Sequence, residues 1–136
     1  MACVLGIDIG TTSTIAILID TDGRTLAQAT RPVTMSSPQQ GWAEEDPQQW
    51  WRNVCALVPD VLSQAGLPAS EIRAIGVTGM VPATVLLDSD GYLLRPSIQQ
   101  SDGRTSQEVG EIAAEIPEAE FVAKAVQEWI GAVGGE

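Results

Sequence analysis

A carboxylate and a glycine turn rich in hydroxyl groups stand close together near the start of the chain. Asp8 lies near the end of the apolar run 3–9, and a second apolar run, 15–19, begins after Gly10-Thr11-Thr12-Ser13. Both runs are typical of buried strands, and so short a segment between them predicts a tight hairpin. Gly10 lets backbone amides come close to a ligand, because glycine has no Cβ atom.

The turn combines two features that suit a phosphate group. Successive backbone N–H groups in such a turn form an anion-binding concavity, and the side chains of Thr11, Thr12 and Ser13 add hydroxyl donors. A carboxylate beside this concavity is explained if a divalent cation bridges the two. We therefore predict that the turn 10–13 binds nucleotide phosphates and that Asp8 binds Mg²⁺. Taken alone, the turn is equally well explained as an ordinary hairpin with an Asx-type hydrogen bond.

The composition limits the classes of partner. The chain has 136 residues, enough for one domain with a core. Its 18 acidic and 7 basic residues give a net charge of −11, which disfavours nucleic-acid binding. No apolar run reaches the roughly 18 residues of a membrane span, and the N-terminus lacks the basic region of a signal peptide. We expect a cytoplasmic protein with neither a nucleic-acid nor a membrane partner.

Histidine and cysteine usage narrows the chemistry further. The chain has no histidine, which excludes histidine-based triads and histidine metal sites from it. Its two cysteines, Cys3 and Cys55, lie in apolar surroundings far apart in sequence. We expect both to be buried free thiols in a reducing compartment.

The first third of the chain predicts a meander followed by a helix. A turn at Asp22-Gly23 connects the second strand to a third over 24–33, which completes three antiparallel strands. The polar segment 34–40 is expected to be a loop. A helix then begins with Asp46 as the N-cap, and its apolar positions repeat at helical spacing up to Ala65.

Several residues of this helix have a predicted local role. Pro47 suits the first helical position and Gln49 the capping-box position. Pro59 is expected to kink or divide the helix, and Gly66 is expected to end it. Trp50 and Trp51 sit at helical spacing, so we interpret them as core residues rather than as a platform for sugar stacking.

The rest of the chain alternates between strand and helix patterns. The run 72–78 predicts a strand that returns to the sheet, and residues 79–83 follow at its carboxyl end, where ligands gather in α/β proteins. A small hairpin is predicted from 84–87 through the turn 89–91. Apolar spacing predicts a helix that opens at 102–104 and a second one over 118–130, before a flexible end at 131–136.

This order of elements resembles the first part of a ribonuclease-H-like domain, which actin-like ATPases and sugar kinases use in pairs. The expected fold class is α/β, with a mixed sheet, an N-terminal three-stranded antiparallel meander and flanking helices. We expect residues 1–136 to form a single domain, the partial first domain of a two-domain protein.

Three collinear motifs make the resemblance more specific. They are Gly6-Ile-Asp8-Ile-Gly10-Thr11-Thr12, the segment from Gly41 to Trp51, and a third stretch that runs from Ile72 through Pro96 to Ser101-Asp102-Gly-Arg104. Together they resemble the N-terminal domain of FGGY-family carbohydrate kinases, nearest to the xylulokinase-like branch. The similarity covers about residues 3–124.

The resemblance implies a function and a set of ligands. Members of this family transfer phosphate from ATP, with Mg²⁺, to a hydroxyl of a ketopentose such as xylulose or of a related polyol, in a cleft between two domains. Asp8 would then lie near the magnesium ion and the transferred phosphate. Asp102 and Arg104 match a family segment on the sugar side. Two other interpretations remain open: Asp102 as a helix N-cap, and Arg104 as the partner of a nearby carboxylate.

The chain departs from the family pattern at the sugar side. Xylulokinases usually have Gly-Gln-Met-His-Gly where this chain has Gly79-Met80-Val81-Pro82-Ala83. Met80, Val81 and Pro82 offer no polar side chain for a hydroxyl group, yet they remain the candidate substrate-binding residues of this segment. Gln100-Ser101 replaces the family's Trp-Asn, so Gln99 or Gln100 is expected to supply replacement contacts.

Family members also have a second domain, which supplies the catalytic aspartate and the adenine site. We expect that ATP-binding domain to be missing here, the chain to be truncated, and the chain alone to have no significant kinase activity. One alternative is a non-catalytic binding or assembly module that keeps the actin-like subfold. Another is a ribonuclease-H-like nuclease, which needs clustered carboxylates and is disfavoured by the acidic composition. An apolar face left by a missing domain would allow a homodimer.

Overall fold

The computed structural model describes residues 2–116, and the chain groups into two compact units, Met1–Asp102 and Gly103–Glu136. The predicted helix over 118–130 and the chain end 131–136 lie outside the described residues. The elements, in chain order, are β1 (Cys3–Ile9), β2 (Ser13–Asp20), β3 (Thr25–Pro32), β4 (Met35–Ser36), β5 (Glu44–Glu45), α1 (Pro47–Ala65), β6 (Ile72–Gly79), β7 (Ser97–Ile98) and α2 (Ser106–Glu115).

The main sheet of the first unit is mixed, with the strand order β3-β2-β1-β6. The first three strands are antiparallel neighbours, whereas β6 runs parallel to β1. The turn between β2 and β3 places Gly23 at a φ of 83°, a conformation that glycine adopts without strain. The predicted meander and the predicted returning strand are therefore confirmed.

Helix α1 covers one face of this sheet. Alternate residues of β1 and β2 point toward the helix and are buried with Leu57 and Val61 of α1. The side chains that form this core are Cys3, Leu5, Ile7, Ala16, Leu18, Ala27, Leu57 and Val61. The intervening residues of β1, which include Gly6 and Asp8, therefore belong to the opposite face of the sheet.

The ends of α1 agree with the sequence, except at the capping box. The Asp46 carboxylate accepts a hydrogen bond from the Gln48 N–H group at 2.9 Å, and Gly66 ends the helix at a φ of 64°. The Gln49 side chain does not close a capping box, because its amide is used by Thr34 instead: Oε1 accepts from the Thr34 N–H group at 3.0 Å. The prediction for Gln49 was therefore wrong.

Pro59 does not divide α1, which runs from Pro47 to Ala65. A proline at this position removes the hydrogen bond to the carbonyl group of Cys55. Both Pro59 and Cys55 are exposed, so water can hydrate the carbonyl group that loses its partner. Because Cys55 is an exposed free thiol, the expectation that it is buried was wrong. Cys3 is a buried free thiol, as predicted.

A second, three-stranded sheet has the order β4-β5-β7 and was not predicted. Its strands are two residues long, and β4 lies in the segment 34–40 that was expected to be a loop. Strands this short show no alternation, so a sequence pattern cannot reveal them. Glu45 pairs with Ser97 in this sheet, and both residues are almost fully buried.

The hairpin predicted after residue 83 is reduced to two isolated bridges, Thr84 with Ile98 and Leu87 with Leu93. Val85, Leu86 and Leu87 are exposed, so this part of the first unit has no buried face that would hold a longer ladder in register. The expectation of a strand over 84–87 was therefore wrong.

The second unit contains α2, at the place where a helix was predicted. Thr105 occupies its N-cap position, so Asp102 is not the N-cap of this helix. None of the helices within residues 2–116 has both the length and the apolar character that crossing a membrane requires.

Candidate functional site

The turn between β1 and β2 is closed by a hydrogen bond from the Gly10 N–H group to the Ser13 carbonyl oxygen, at 2.9 Å. A Cβ atom at Gly10 would lie 3.1 Å from that oxygen and 3.7 Å from Oδ2 of Asp8. A side chain at this position would therefore crowd both the turn and the carboxylate. Because the Gly10 amide is used within the turn, the amides of Thr11 and Thr12 are the ones best suited to bind an anion.

Asp8 lies on the face of the sheet that α1 leaves open. It pairs with Ile15 of β2 on one side and with Thr78 of β6 on the other. Its side chain is half-buried and lines a depression of about 360 Å³ together with Gly6 and Gly76. The carboxylate is therefore not enclosed in the core, as a role in ligand binding requires.

The loop after β6 meets this turn because β1 and β6 are parallel and end at the same edge of the sheet. Ile9 pairs with Gly79 at that edge, and the Met80 N–H group donates to the Ile9 carbonyl oxygen at 3.0 Å. The Thr11 hydroxyl donates to the Met80 sulfur atom at 2.8 Å. The structure thus brings a predicted substrate-binding residue into contact with the predicted phosphate turn.

Val81 and Pro82 follow Met80 on the surface of the first unit. The Val81–Pro82 peptide bond is cis, and 78% of the surface of Val81 is exposed. The loop then reaches Thr84, which forms a bridge with Ile98. This bridge connects the loop after β6 to the segment that contains Gln100 and Asp102.

Asp102 connects that segment to the strand before α1. Its Oδ2 atom accepts a hydrogen bond from the Ala43 N–H group at 2.6 Å, and its own N–H group donates to the Gln99 carbonyl oxygen at 3.0 Å. Gln99 is buried and its side-chain amide donates to Ser97, whereas Gln100 is exposed. Arg104 is half-buried in the second unit.

Two residues that the sequence analysis did not assign to the site lie close to the loop after β6. Trp50 lines a pocket of about 370 Å³ together with Thr78 and Met80. The indole Nε1–H group donates to Oε2 of Glu45 at 2.9 Å. The two residues occupy the positions before the N-cap and four residues into the helix, where side chains commonly meet. This spacing is the signal that would have predicted the pair.

Glu45 is an unusual carboxylate because 1% of its surface is exposed. Burial raises the pKa of Glu45, and the hydrogen bond from Trp50 opposes this effect only in part. Its second oxygen, Oε1, is buried without a hydrogen-bond partner in the described part of the chain. The neighbouring Glu44 is paired with Arg95 at 2.5 Å.

Residues 3–130 match the family model described as the FGGY family of carbohydrate kinases, N-terminal domain. The chain therefore belongs to this family, and its resemblance to that family is confirmed. Among curated proteins it is 33% identical over 118 residues to the xylulose kinase of Escherichia coli, covering 87% of this chain and 24% of that protein. It is 41% identical over 108 residues to the glycerol kinase of Methylorubrum extorquens, covering 79% of this chain and 22% of that protein.

Solved structures agree with this assignment. The xylulose kinase of Rhodospirillum rubrum is 48% identical, with a TM-score of 0.81 over 96% of this chain and 29% of that one. The xylulose kinase of Brucella ovis is 32% identical, with a TM-score of 0.79 over 83% of this chain and 24% of that one. The predicted fold class, an α/β domain of the actin-like ATPase type with a mixed sheet, is confirmed. The chain spans about a quarter of the length of the relatives that it matches.

Proposed function

We propose that this chain forms the sugar- and phosphate-binding part of an ATP-dependent carbohydrate kinase. The reaction would transfer the γ-phosphate of ATP to a hydroxyl group of a ketopentose such as xylulose, or of a related polyol. Relatives named xylulose kinase and glycerol kinase, each more than 30% identical to the chain, support a substrate of this class.

The contact between Thr11 and Met80 is the observation that supports this proposal most directly. It joins the turn assigned to phosphate and the loop assigned to sugar across 2.8 Å. Phosphoryl transfer depends mainly on positioning and on the neutralisation of charge. A donor phosphate at the turn would therefore lie beside an acceptor held by the loop.

Asp8 fits the requirements of a magnesium ligand. Magnesium in phosphoryl-transfer sites is usually bound by one or two carboxylates together with phosphate oxygens and water. Asp8 is half-buried on the open face of the sheet, and its Oδ2 atom reaches the position that a Cβ atom at Gly10 would approach. When bound, Mg²⁺ would neutralise charge on the transferred phosphate. Thr11 and Thr12 would hold that phosphate through their amides.

The sugar would be bound by the two segments that the Thr84–Ile98 bridge connects. In this proposal the backbone of Met80, Val81 and Pro82 lines one side of the sugar. Gln100 and Asp102 would supply polar contacts from the first unit, and Arg104 is a candidate sugar contact on the resemblance to the family alone. A carboxylate such as Asp102 forms strong hydrogen bonds with hydroxyl groups, and its Oδ2 atom already accepts the Ala43 amide, which fixes the position of the side chain.

The partner that completes the enzyme is a C-terminal kinase domain, which would bring the catalytic base and the adenine site. The chain spans about a quarter of its relatives, which supports this division of labour. We therefore expect the 136-residue chain alone to have no measurable turnover with ATP, Mg²⁺ and a panel of ketoses and polyols.

A chimeric kinase tests the proposed function. The part of the Rhodospirillum rubrum xylulose kinase that aligns with this chain is replaced by the chain's own residues, and phosphorylation of xylulose and glycerol is measured. We expect turnover that requires both ATP and Mg²⁺. A folded chimera that binds neither sugar nor nucleotide would contradict the proposal and favour the alternative of a non-catalytic module.

A further inference from the structure

Trp50 forms part of the wall of the pocket beside the loop after β6. The pocket measures about 370 Å³, and its other walls include Ile9, Val77, Thr78, Met80 and Val85. This volume lies within the range of roughly 300–1,000 Å³ that is typical of small-molecule sites. The walls are mostly apolar, and Thr78 is a polar residue among them.

The chemical character of the pocket suits one face of a sugar. Small-molecule sites commonly combine apolar and aromatic walls with a few polar groups that fix orientation. A sugar ring or an extended ketose presents C–H groups on one side and hydroxyl groups on the others. An aromatic ring binds such a C–H surface without leaving polar groups unpaired, because a ring face needs no hydrogen-bond partner.

The pocket lies beside the turn assigned to phosphate. Met80 forms one wall, and the same residue accepts the Thr11 hydroxyl and donates to the Ile9 carbonyl oxygen. A molecule in the pocket would therefore lie next to the turn assigned to phosphate. The cavity and the turn share the carboxyl edge of β1 and β6.

The Glu45 carboxylate binds the ring nitrogen of Trp50. Its Oε2 atom accepts the Nε1–H group at 2.9 Å, and the carboxyl group is buried within the sheet that β5 forms with β7. The backbone of Glu45 is fixed by its pairing with Ser97. A ring whose N–H group is bound to a buried, immobile acceptor loses most of its freedom to rotate.

We propose that Trp50 is a substrate-binding residue that stacks on the C–H face of the sugar, and that Glu45 is a positioning residue that fixes the orientation of the ring. This assignment rests on the proposed function, because it takes the pocket beside Met80 as the sugar site. It also gives a role to one of the two tryptophans that the sequence analysis placed in the core.

The first experiment measures the binding of xylulose and glycerol to the 136-residue chain by calorimetry, and KM values in the chimeric kinase. Trp50→Leu is expected to weaken sugar binding about ten-fold and to leave the KM for ATP unchanged. Trp51→Leu is the matched control, because Trp51 is the next residue of α1 and is 65% exposed. It is expected to change neither value.

The second experiment tests the role of Glu45. Glu45→Ala is expected to weaken sugar binding by a factor similar to that of Trp50→Leu, whereas Glu45→Gln retains an acceptor oxygen and is expected to restore it. In a background with Trp42→Phe, Trp51→Phe and Trp129→Phe, which leaves Trp50 as the emitting tryptophan, Glu45→Ala should also shift the emission to longer wavelength without sugar, and Glu45→Gln should not. Circular dichroism confirms that each variant is folded.

The outcomes separate this inference from the proposed function. Equal sugar affinity for the unmodified chain and a folded Trp50→Leu variant would overturn the stacking role and leave the kinase assignment intact. Equal losses for Glu45→Ala and Glu45→Gln would overturn the positioning role. If neither the unmodified chain nor the chimera binds a sugar, both this inference and the proposed function fail.

Discussion

The Thr11 hydroxyl donates a hydrogen bond to the sulfur atom of Met80 at 2.8 Å, across 69 residues of sequence. This contact joins the turn between β1 and β2 to the loop after β6. The parallel pairing of β1 with β6 makes it possible, because both strands end at the same edge of the sheet. The two segments that we assign to phosphate and to sugar are therefore held together by a direct side-chain contact.

Thr11→Val removes this hydrogen bond while keeping the shape of the side chain. We expect the free energy of unfolding to fall by about 1 kcal/mol or less, because sulfur is a weak acceptor. Urea unfolding measures the change, and the exposed neighbour substituted as Thr12→Val is the control. In a double-mutant cycle with Met80→Leu, additive losses would show that the contact does not stabilise the fold.

Gly10→Ala places a Cβ atom 3.1 Å from the Ser13 carbonyl oxygen. We expect a loss of roughly 1 kcal/mol or more in the free energy of unfolding, because the turn must shift to relieve the contact. Gly76→Ala is the control, since a Cβ atom there would meet no atom within 4 Å. Thermal unfolding compares the two variants, and equal stability would contradict the crowding that the turn geometry indicates.

Asp8→Asn removes the charge of the proposed magnesium ligand and keeps its size. We expect the chimeric kinase to lose at least about ten-fold in kcat, since charge neutralisation contributes several kcal/mol to such reactions. The stability should change little, because the side chain lies on the open face of the sheet. The exposed turn residue Asp22 provides the control, as Asp22→Asn. Unchanged kcat with Asp8→Asn would exclude the assigned role.

Glu45→Gln tests a pH dependence that follows from burial. Burial raises the pKa of Glu45 above its ordinary value of 4.5, so between the unfolded and folded pKa values the native state binds more protons than the unfolded chain. The contribution of Glu45 to stability therefore falls as the pH rises from about 4.5 through the folded pKa. Glu45→Gln has no carboxyl group that ionises at this position, so its stability does not include this decrease with pH.

Thermal unfolding at a series of pH values measures the effect. The stability of Glu45→Gln relative to the unmodified chain should increase as the pH rises through this window and then become constant. Glu71→Gln, in the 3-10 turn before β6, is a comparison with the opposite sign, because Glu71 has a lowered pKa. Parallel stability profiles for Glu45→Gln and the unmodified chain would contradict the prediction.

The two cysteines should differ in their reaction with a thiol reagent. Cys3 is buried in the core, and Cys55 is exposed on α1. We expect one thiol per chain to react rapidly under native conditions and the second to react only after denaturation. Spectrophotometric counting of released reagent measures both phases. Rapid reaction of a Cys55→Ser variant would show that the core around Cys3 is open.

The residues closest to the phosphate side of the site could be predicted from the sequence because they are contiguous. Asp8 and the turn at 10–13 belong to one hairpin, and the strand alternation that defines this hairpin is a local property. The returning strand was also predicted, which put Met80 at the end of β6. The distance between Met80 and Thr11, however, depends on which strand β6 pairs with. The residue pattern of β6 does not predict its partner strand.

The sugar side was less predictable because its contacts also join segments that are distant in sequence. Asp102 was assigned to a helix cap or a substrate contact, whereas its carboxylate accepts the Ala43 amide, 59 residues away. Trp51 was expected in the core but is exposed, while Trp50 faces a pocket. Helical spacing predicts that one face of α1 is buried. How many residues that face includes depends on the segments that pack against the helix, and these are distant in sequence.

The sequence by itself determined the meander, the limits of α1 and the hairpin that carries Asp8, because each follows from residues adjacent along the chain, and it determined the family through the order of three separate motifs. The tertiary structure alone decided that the loop at Met80 contacts Thr11 and that the Glu45 carboxylate is buried against the Trp50 indole. It also decided that the carbonyl group of Cys55, freed by Pro59, is on the exposed side of α1. These features depend on which distant segments pack together, and packing is a property of the assembled sheets rather than of any single segment.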